Sequence, residues 1–206
     1  MQVDLNGRTY SGLTTLIQFV VLNVCYLLVC LPVVTIGVAT ASLVEVTYRF
    51  ADEERGNLIK DFFGSLRKNF TQATIVLFAL GLPAALLGLS AVFWFQYESA
   101  VSGAAAILSS LGSAYLLASF LHGEALVATH TNTTKQLLKN SLLLPTAEAL
   151  RTLGLIVIPV ACIALTYVAP GFIYVMLTIG CALAAYGAAF LLRSIYRRHG
   201  DPASAG

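Results

Sequence analysis

The sequence predicts an all-α polytopic membrane protein, with about six transmembrane helices plus two short cytoplasmic amphipathic helices. Three observations predict it. Of 206 residues, 58% are hydrophobic and only 11% charged, whereas a soluble domain carries about 25% charged residues. Apolar runs long enough to cross a hydrocarbon core of about 30 Å recur along the chain. All 12 Lys and Arg residues fall in alternate connectors between those runs.

Residues 1–12 are polar, with Arg8 as their one cation, and residues 13–31 form the first span. That apolar run is too long, and its lead too weakly basic, for a cleaved signal peptide, so the span is expected to be retained. Pro32 ends it, and a charge-free turn leads to a second, barely sufficient run over residues 36–48, interrupted by Glu45.

Residues 49–70 are the longest polar interval, with Arg49, Arg55, Lys60, Arg67 and Lys68. In its second half Leu58, Ile59, Phe62, Phe63, Leu66 and Phe70 recur at helical spacing, opposite Lys60, Asp61, Ser65, Arg67, Lys68 and Asn69. This pattern predicts an amphipathic helix lying on the membrane surface or docked on a partner. Phe62, Phe63 and Phe70 would anchor it, and Arg67 and Lys68 would meet acidic partners or anionic headgroups.

Residues 71–95 read as span three, kinked at Pro83, with Trp94 and Tyr97 placed for an interfacial aromatic belt. Span four covers 101–129, where Ser110, Ala114 and Ala118 make a small-residue track for a neighbouring helix. A second basic interval, 130–151, is expected to hold a short helix capped by Asn132 or Thr133, with Pro145 opening the next one. Spans five and six are read at 153–168, bent at Pro159, and at 172–192. Arg193, Arg197, Arg198 and a small tail, expected to be disordered, follow.

The cations lie in the N-terminus, 49–68, 135–151 and the C-terminal tail, and none lies near 32–37, 96–100 or 169–171. The positive-inside rule then puts both termini in the cytoplasm. The chain reads as one integral membrane domain over 1–206, with a faint two-fold echo between 13–97 and 101–195. In each half a basic amphipathic interval leads into a proline-bearing span.

Leu31-Pro32-Val33-Val34-Thr35-Ile36-Gly37, Asp52-Glu53-Glu54, Asp61-Phe62-Phe63 and Lys68-Asn69-Phe70 carry a family resemblance. A later echo is Leu137-Leu138-Lys139-Asn140-Ser141, with Leu144 and Arg151-Thr152-Leu153. On these residues the chain resembles the YesL-like family of bacterial multi-span membrane proteins of unknown function. Members are often encoded beside carbohydrate ABC importers. The resemblance implies a plasma-membrane accessory role near sugar uptake and assigns no catalytic residue.

The residues themselves offer little chemistry. Glu45, His122 and Glu124 are the ionisable groups nearest the membrane interior, and together they could line a polar passage. Alternatively, lying one to two turns from their helix ends, they reach water by snorkelling. His122-Gly123-Glu124 lacks the Pro-Cys-x-x-Cys partner of zinc deaminases, and Ser65-Leu66-Arg67-Lys68 lacks a second basic motif. The sequons at Asn69 and Asn132 fall on the expected cytoplasmic side, where they are inert. Glu148-Ala149, with Gly154 beyond, differs from the importer Glu-Ala-Ala loop at Leu150 and reads as a helix start.

Cys25, Cys30, Cys162 and Cys181 sit in apolar runs without ligand spacing and read as structural thiols. No phosphate-binding loop, cofactor motif, metal set or nucleic-acid-binding charge excess is present. The expected function is therefore non-catalytic: an accessory protein of the lipid bilayer contacting carbohydrate ABC importer subunits. The rival expectation is a stand-alone secondary transporter or channel for a polar solute.

Overall fold

The protein is all-α, as its hydropathy demands, because a chain in hydrocarbon must satisfy its backbone within each segment. The computed structural model describes residues 5–52, 56–129 and 133–199, with side chains over 12–52, 56–129 and 133–193. Glu53, Glu54, Arg55 and Asn132, which entered the sequence reading, lie outside the described residues, as does the tail after His199. The side chains of Arg8, Arg197 and Arg198 lie outside them as well.

Helix α1 is Leu5–Val29. Pro32 then follows, and a short 3-10 turn, Val33–Thr35, leads into α2, Ile36–Ala51. Thr35 closes this charge-free turn, its hydroxyl reaching the carbonyls of Val29 at 2.5 Å and Pro32 at 2.7 Å. The Val29 carbonyl is an orphan acceptor at the end of α1, satisfied without water, and the Pro32 carbonyl also accepts the Thr35 N–H at 3.0 Å. The second span, the weakest in the sequence, is the most enclosed of the helices: ten of its 16 residues are buried. Its small residues Gly37, Ala39, Ala41 and Ser42 allow neighbours to approach closely.

Helix α3, Leu58–Val76, starts at Asn57, whose side-chain oxygen accepts the Lys60 N–H at 3.2 Å. It is not a separate surface helix followed by a new span. It runs through a π-turn, Leu77–Gly81, into α4, Leu82–Trp94. The whole is one helix of 37 residues, or about 55 Å at 1.5 Å per residue. No helix breaker separates Phe70 from Thr71. The missing N–H and the ring of Pro83 are accommodated by the widened turn before it.

Helix α5 is Ala100–Thr129 and α6 is Thr134–Ala147. Thr133 stands at the N-cap of α6 with extended backbone but makes no side-chain cap. Pro145 lies inside the last turn of α6 and does not open the next helix. The break falls at Glu148 (φ −124°, ψ 49°), and α7, Ala149–Val168, begins four residues earlier than the hydropathy suggests. Arg151 folds back on Glu148 at 2.9 Å to close that joint. The last span runs from α8, Phe172–Val175, through a second π-turn, Met176–Gly180, into α9, Cys181–His199.

Among the described residues, six helices are long and apolar enough to cross a membrane, with Leu58–Trp94 counting as one. The long helix sets the layout, with α2 lying along its first half and α5 along its second. The contact between α4 and α5 uses Ser113, whose hydroxyl donates to the Ala84 carbonyl at 2.8 Å, and the Ser90–Ser109 pair at 3.4 Å. The close approach therefore runs through Ser109, Gly112 and Ser113. It lies one step around the helix from the expected Ser110–Ala114–Ala118 track, and Ala114 faces outward.

Two apolar clusters form the core. One joins Val38, Val76, Phe120, Leu126 and Leu137. The other joins Phe19, Leu22, Leu43, Val46 and Phe62. The four cysteines are free and half-buried.

Candidate intramembrane polar site and outward face

Glu45 sits on the face of α2 turned toward α3, and α3 supplies its donors. Its carboxylate accepts from the Ser65 hydroxyl at 2.7 Å and the Asn69 amide at 2.7 Å; Lys68 Nζ lies 3.4 Å away. Asn69 also donates to Ser65 at 3.0 Å, which closes the cluster. The charge is nearly buried and fully partnered, the condition under which a carboxylate is tolerated away from water.

This cluster fixes how α3 is turned. The expected wet side included Ser65 and Asn69, yet both are buried, because Glu45 requires donors on that face. The inward stripe is Leu58, Phe62, Ser65, Asn69, Ala73 and Val76. Phe62 thus belongs to the core, packed with Phe19 and Leu22, and is not an outward anchor. Phe63 and Phe70 remain 47% and 48% exposed, with Arg67 between them on the outer face. Lys68 is exposed along its length, but its ammonium leans back to Glu45.

His122 and Glu124 are fully buried, and the snorkelling expected of them does not occur. Counting turns from the end of α5 assumed water just beyond the helix. In the fold other helices cover that end. Glycine contacts and one hydrogen bond place Gly37 of α2, Val76 of α3, Ser141 of α6 and Thr152 of α7 around residues 122–124. His122 Nε2 bonds the Thr152 hydroxyl at 2.8 Å.

Among the described residues, neither carboxyl oxygen of Glu124 has a hydrogen-bond partner, nor do His122 Nδ1 and the Ser42 hydroxyl. Gly37 makes the room beside Glu124. A Cβ built there would lie 2.7 Å from the Ala73 carbonyl oxygen and 3.0 Å from Glu124 Oε1. The three ionisable residues therefore do not form one site. Glu45 is held in a closed network with α3, whereas Glu124 lies near Gly37, Ala73 and Leu77, where the π-turn begins.

Sequence reasoning passed over Asn23, which is fully buried. Its amide donates to the carbonyls of Met176 at 3.0 Å and Leu177 at 2.9 Å, and its oxygen accepts the Ala182 N–H at 2.9 Å. These are the backbone groups that the π-turn at Met176–Gly180 puts out of α-helical register. The available signal was an amide in the middle of an otherwise apolar span. Arg193 was counted only as a tail cation. It donates to the Ala51 carbonyl at 2.5 Å and pairs with Asp52, tying the ends of α2 and α9 together.

Among the described residues, no group of three or more His, Cys, Asp or Glu side chains is placed to hold a metal ion. No curated protein and no solved structure matches the chain. A family model described as a protein of unknown function, DUF624, matches residues 19–91, from α1 through most of α4. The matched region contains Gly37, Glu45, Ser65 and Asn69 and ends before α5, so the chain is similar to that family from within α1 to within α4.

Proposed function

We propose that the protein is a non-catalytic accessory protein of the bacterial plasma membrane, with both termini cytoplasmic, that contacts subunits of a carbohydrate ABC-type importer. The observation that carries this reading is the outer face of α3. Phe63 and Phe70, each about half exposed, flank exposed Arg67 on a helix whose opposite face is already engaged with α2. Aromatic residues beside Arg form the composition that protein interfaces favour. Resemblance to proteins encoded beside sugar importers supplies the partner class. The one-sided distribution of cations supports the orientation.

The test is a photo-crosslinking residue at 63 or 70, with Arg67 kept, in native membranes of the source organism. Adducts with importer subunits, lost on Arg67→Glu, are expected; adducts with lipid alone would overturn the reading. Orientation is tested separately with single thiols at positions 57 and 99, which should be labelled from opposite compartments.

A second reading, a stand-alone transporter or channel for a polar solute, is favoured by Glu124. A buried carboxyl with no partner is costly, and intramembrane ionisable groups of this kind mark substrate or ion paths. Flux into liposomes containing this chain alone, abolished by Glu45→Gln or Glu124→Gln, would establish it. Absence of flux would leave the accessory role standing.

A further inference from the structure

Two oxygens from different helices converge beside Gly37. The position a Cβ would take there lies 2.7 Å from the Ala73 carbonyl oxygen of α3 and 3.0 Å from Glu124 Oε1 of α5. The third neighbour, Leu77 Cβ at 2.9 Å, is apolar. Both oxygens are acceptors, and among the described residues no N–H or O–H reaches either carboxyl oxygen of Glu124. The side chain is fully buried, so bulk water does not take the place of a donor.

The polar groups nearest the carboxyl are committed elsewhere. His122 Nε2 turns to Thr152 on α7. The Ser141 hydroxyl, beside Gly123, donates to the Leu137 carbonyl at 2.7 Å. Lys68, the cation of α3 that reaches α2, leans on Glu45. The Ala73 carbonyl accepts the Leu77 N–H, which it shares with the Thr74 carbonyl. It therefore keeps a lone pair for a second partner.

A buried carboxylate without a donor is tolerated when a positive charge neutralises it. Carboxyl and backbone carbonyl oxygens are hard donors, the kind that alkali and alkaline-earth ions take. One carboxylate carries one negative charge, which a monovalent ion cancels and a divalent ion would overshoot. Glu45 does not add a second charge, since it stands about 12 Å along α2 from Gly37 at 1.5 Å per residue.

We propose that Glu124 and the Ala73 carbonyl bind one monovalent alkali cation at the junction of α2, α3 and α5. The missing side chain at Gly37 lets the two oxygens share that spot. The site deepens the second reading, in which Glu124 marks an ion path; its role in transport, though not its occupancy, rests on that reading.

Equilibrium binding of radiolabelled sodium, and of radiolabelled rubidium as the potassium-like probe, to the purified full chain in choline buffer tests it. Saturable binding of at least one of the two ions, one per chain, is expected. Glu124→Gln should weaken it by at least about tenfold, and Glu98→Gln, at an exposed carboxylate, should leave it unchanged. Replacing choline by the bound ion should raise the melting temperature of the parent and not of Glu124→Gln. Should Glu124→Gln fail to fold, Glu124→Leu decides with the same two readouts. No saturable binding of either ion to the parent, or binding that survives both Glu124 variants, would overturn the site. Flux without such binding would keep the transporter reading and remove this one; binding without flux would do the reverse.

Discussion

The side-chain amide of Asn23 lies 3.0 Å from the main-chain carbonyl of Met176, 153 residues away in the chain. The first span thereby holds the widened turn of the last one. Asn23→Leu removes the partner of the Ala182 N–H and of two carbonyls. A loss of about 1–3 kcal/mol for each group left unpaired is expected. Denaturant unfolding of the purified protein in mixed micelles measures it. A variant as stable as the parent would show that the π-turn closes on its own.

Gly37 and Gly64 should respond in opposite directions to alanine. A Cβ at 37 would lie 2.7 Å from the Ala73 carbonyl oxygen and 2.9 Å from Leu77 Cβ, so α2 and α3 must separate. Overpacking of this kind costs about 1–3 kcal/mol. Gly64 lies in α3 with nothing within 4 Å of a built Cβ. Alanine there should raise stability by up to about 1 kcal/mol, the usual gain in a helix interior. Melting temperatures of the two variants in one detergent give the comparison.

Removing Glu45 and removing Lys68 are expected to differ in size. Glu45→Ala leaves the Ser65 hydroxyl and one N–H of the Asn69 amide, two buried donors, without their acceptor, at about 1–3 kcal/mol each. Lys68→Ala gives up an exposed ion pair at 3.4 Å, a change of less than about 1 kcal/mol. Equal losses would mean that the ion pair, and not the hydrogen-bonded cluster, holds α2 to α3.

Glu124 should be a residue whose removal stabilises. Its oxygens are buried and without a partner among the described residues, so Glu124→Leu replaces a costly polar group by apolar atoms. A gain of about 1–3 kcal/mol is expected, as when buried ions are exchanged for hydrophobic residues. Glu124→Gln, still polar, should stay near the parent. Unfolding curves of the three proteins in choline buffer test this. Destabilisation by Leu would show that the carboxyl has a partner in the working protein.

Much of the fold was legible because hydropathy and charge are one-dimensional. The spans at 13–31, 101–129 and 172–192 correspond to α1, α5 and the helix ending in α9, and the helix start at Asn57 coincides with a local change from polar to periodic sequence. The errors fell where local reading had to guess what lay alongside. Ser65 and Asn69 look solvated until Glu45 is placed opposite them. Pro145 looks like a helix start until the backbone turns at Glu148 instead. His122 and Glu124 look near water until Gly37, Val76, Ser141 and Thr152 are packed around them.

The sequence by itself determined that this chain is helical, that it has six segments able to cross a bilayer, and that its cations alternate between connectors. These follow from transfer of side chains and backbone out of water, which depends on composition along the chain. The tertiary structure alone decided which polar residues share a network, which aromatic residues stay outside, and which oxygens converge beside Gly37. Those depend on helix rotation and neighbour identity, and residues 20 to 159 positions apart set them by the hydrogen bonds they must complete.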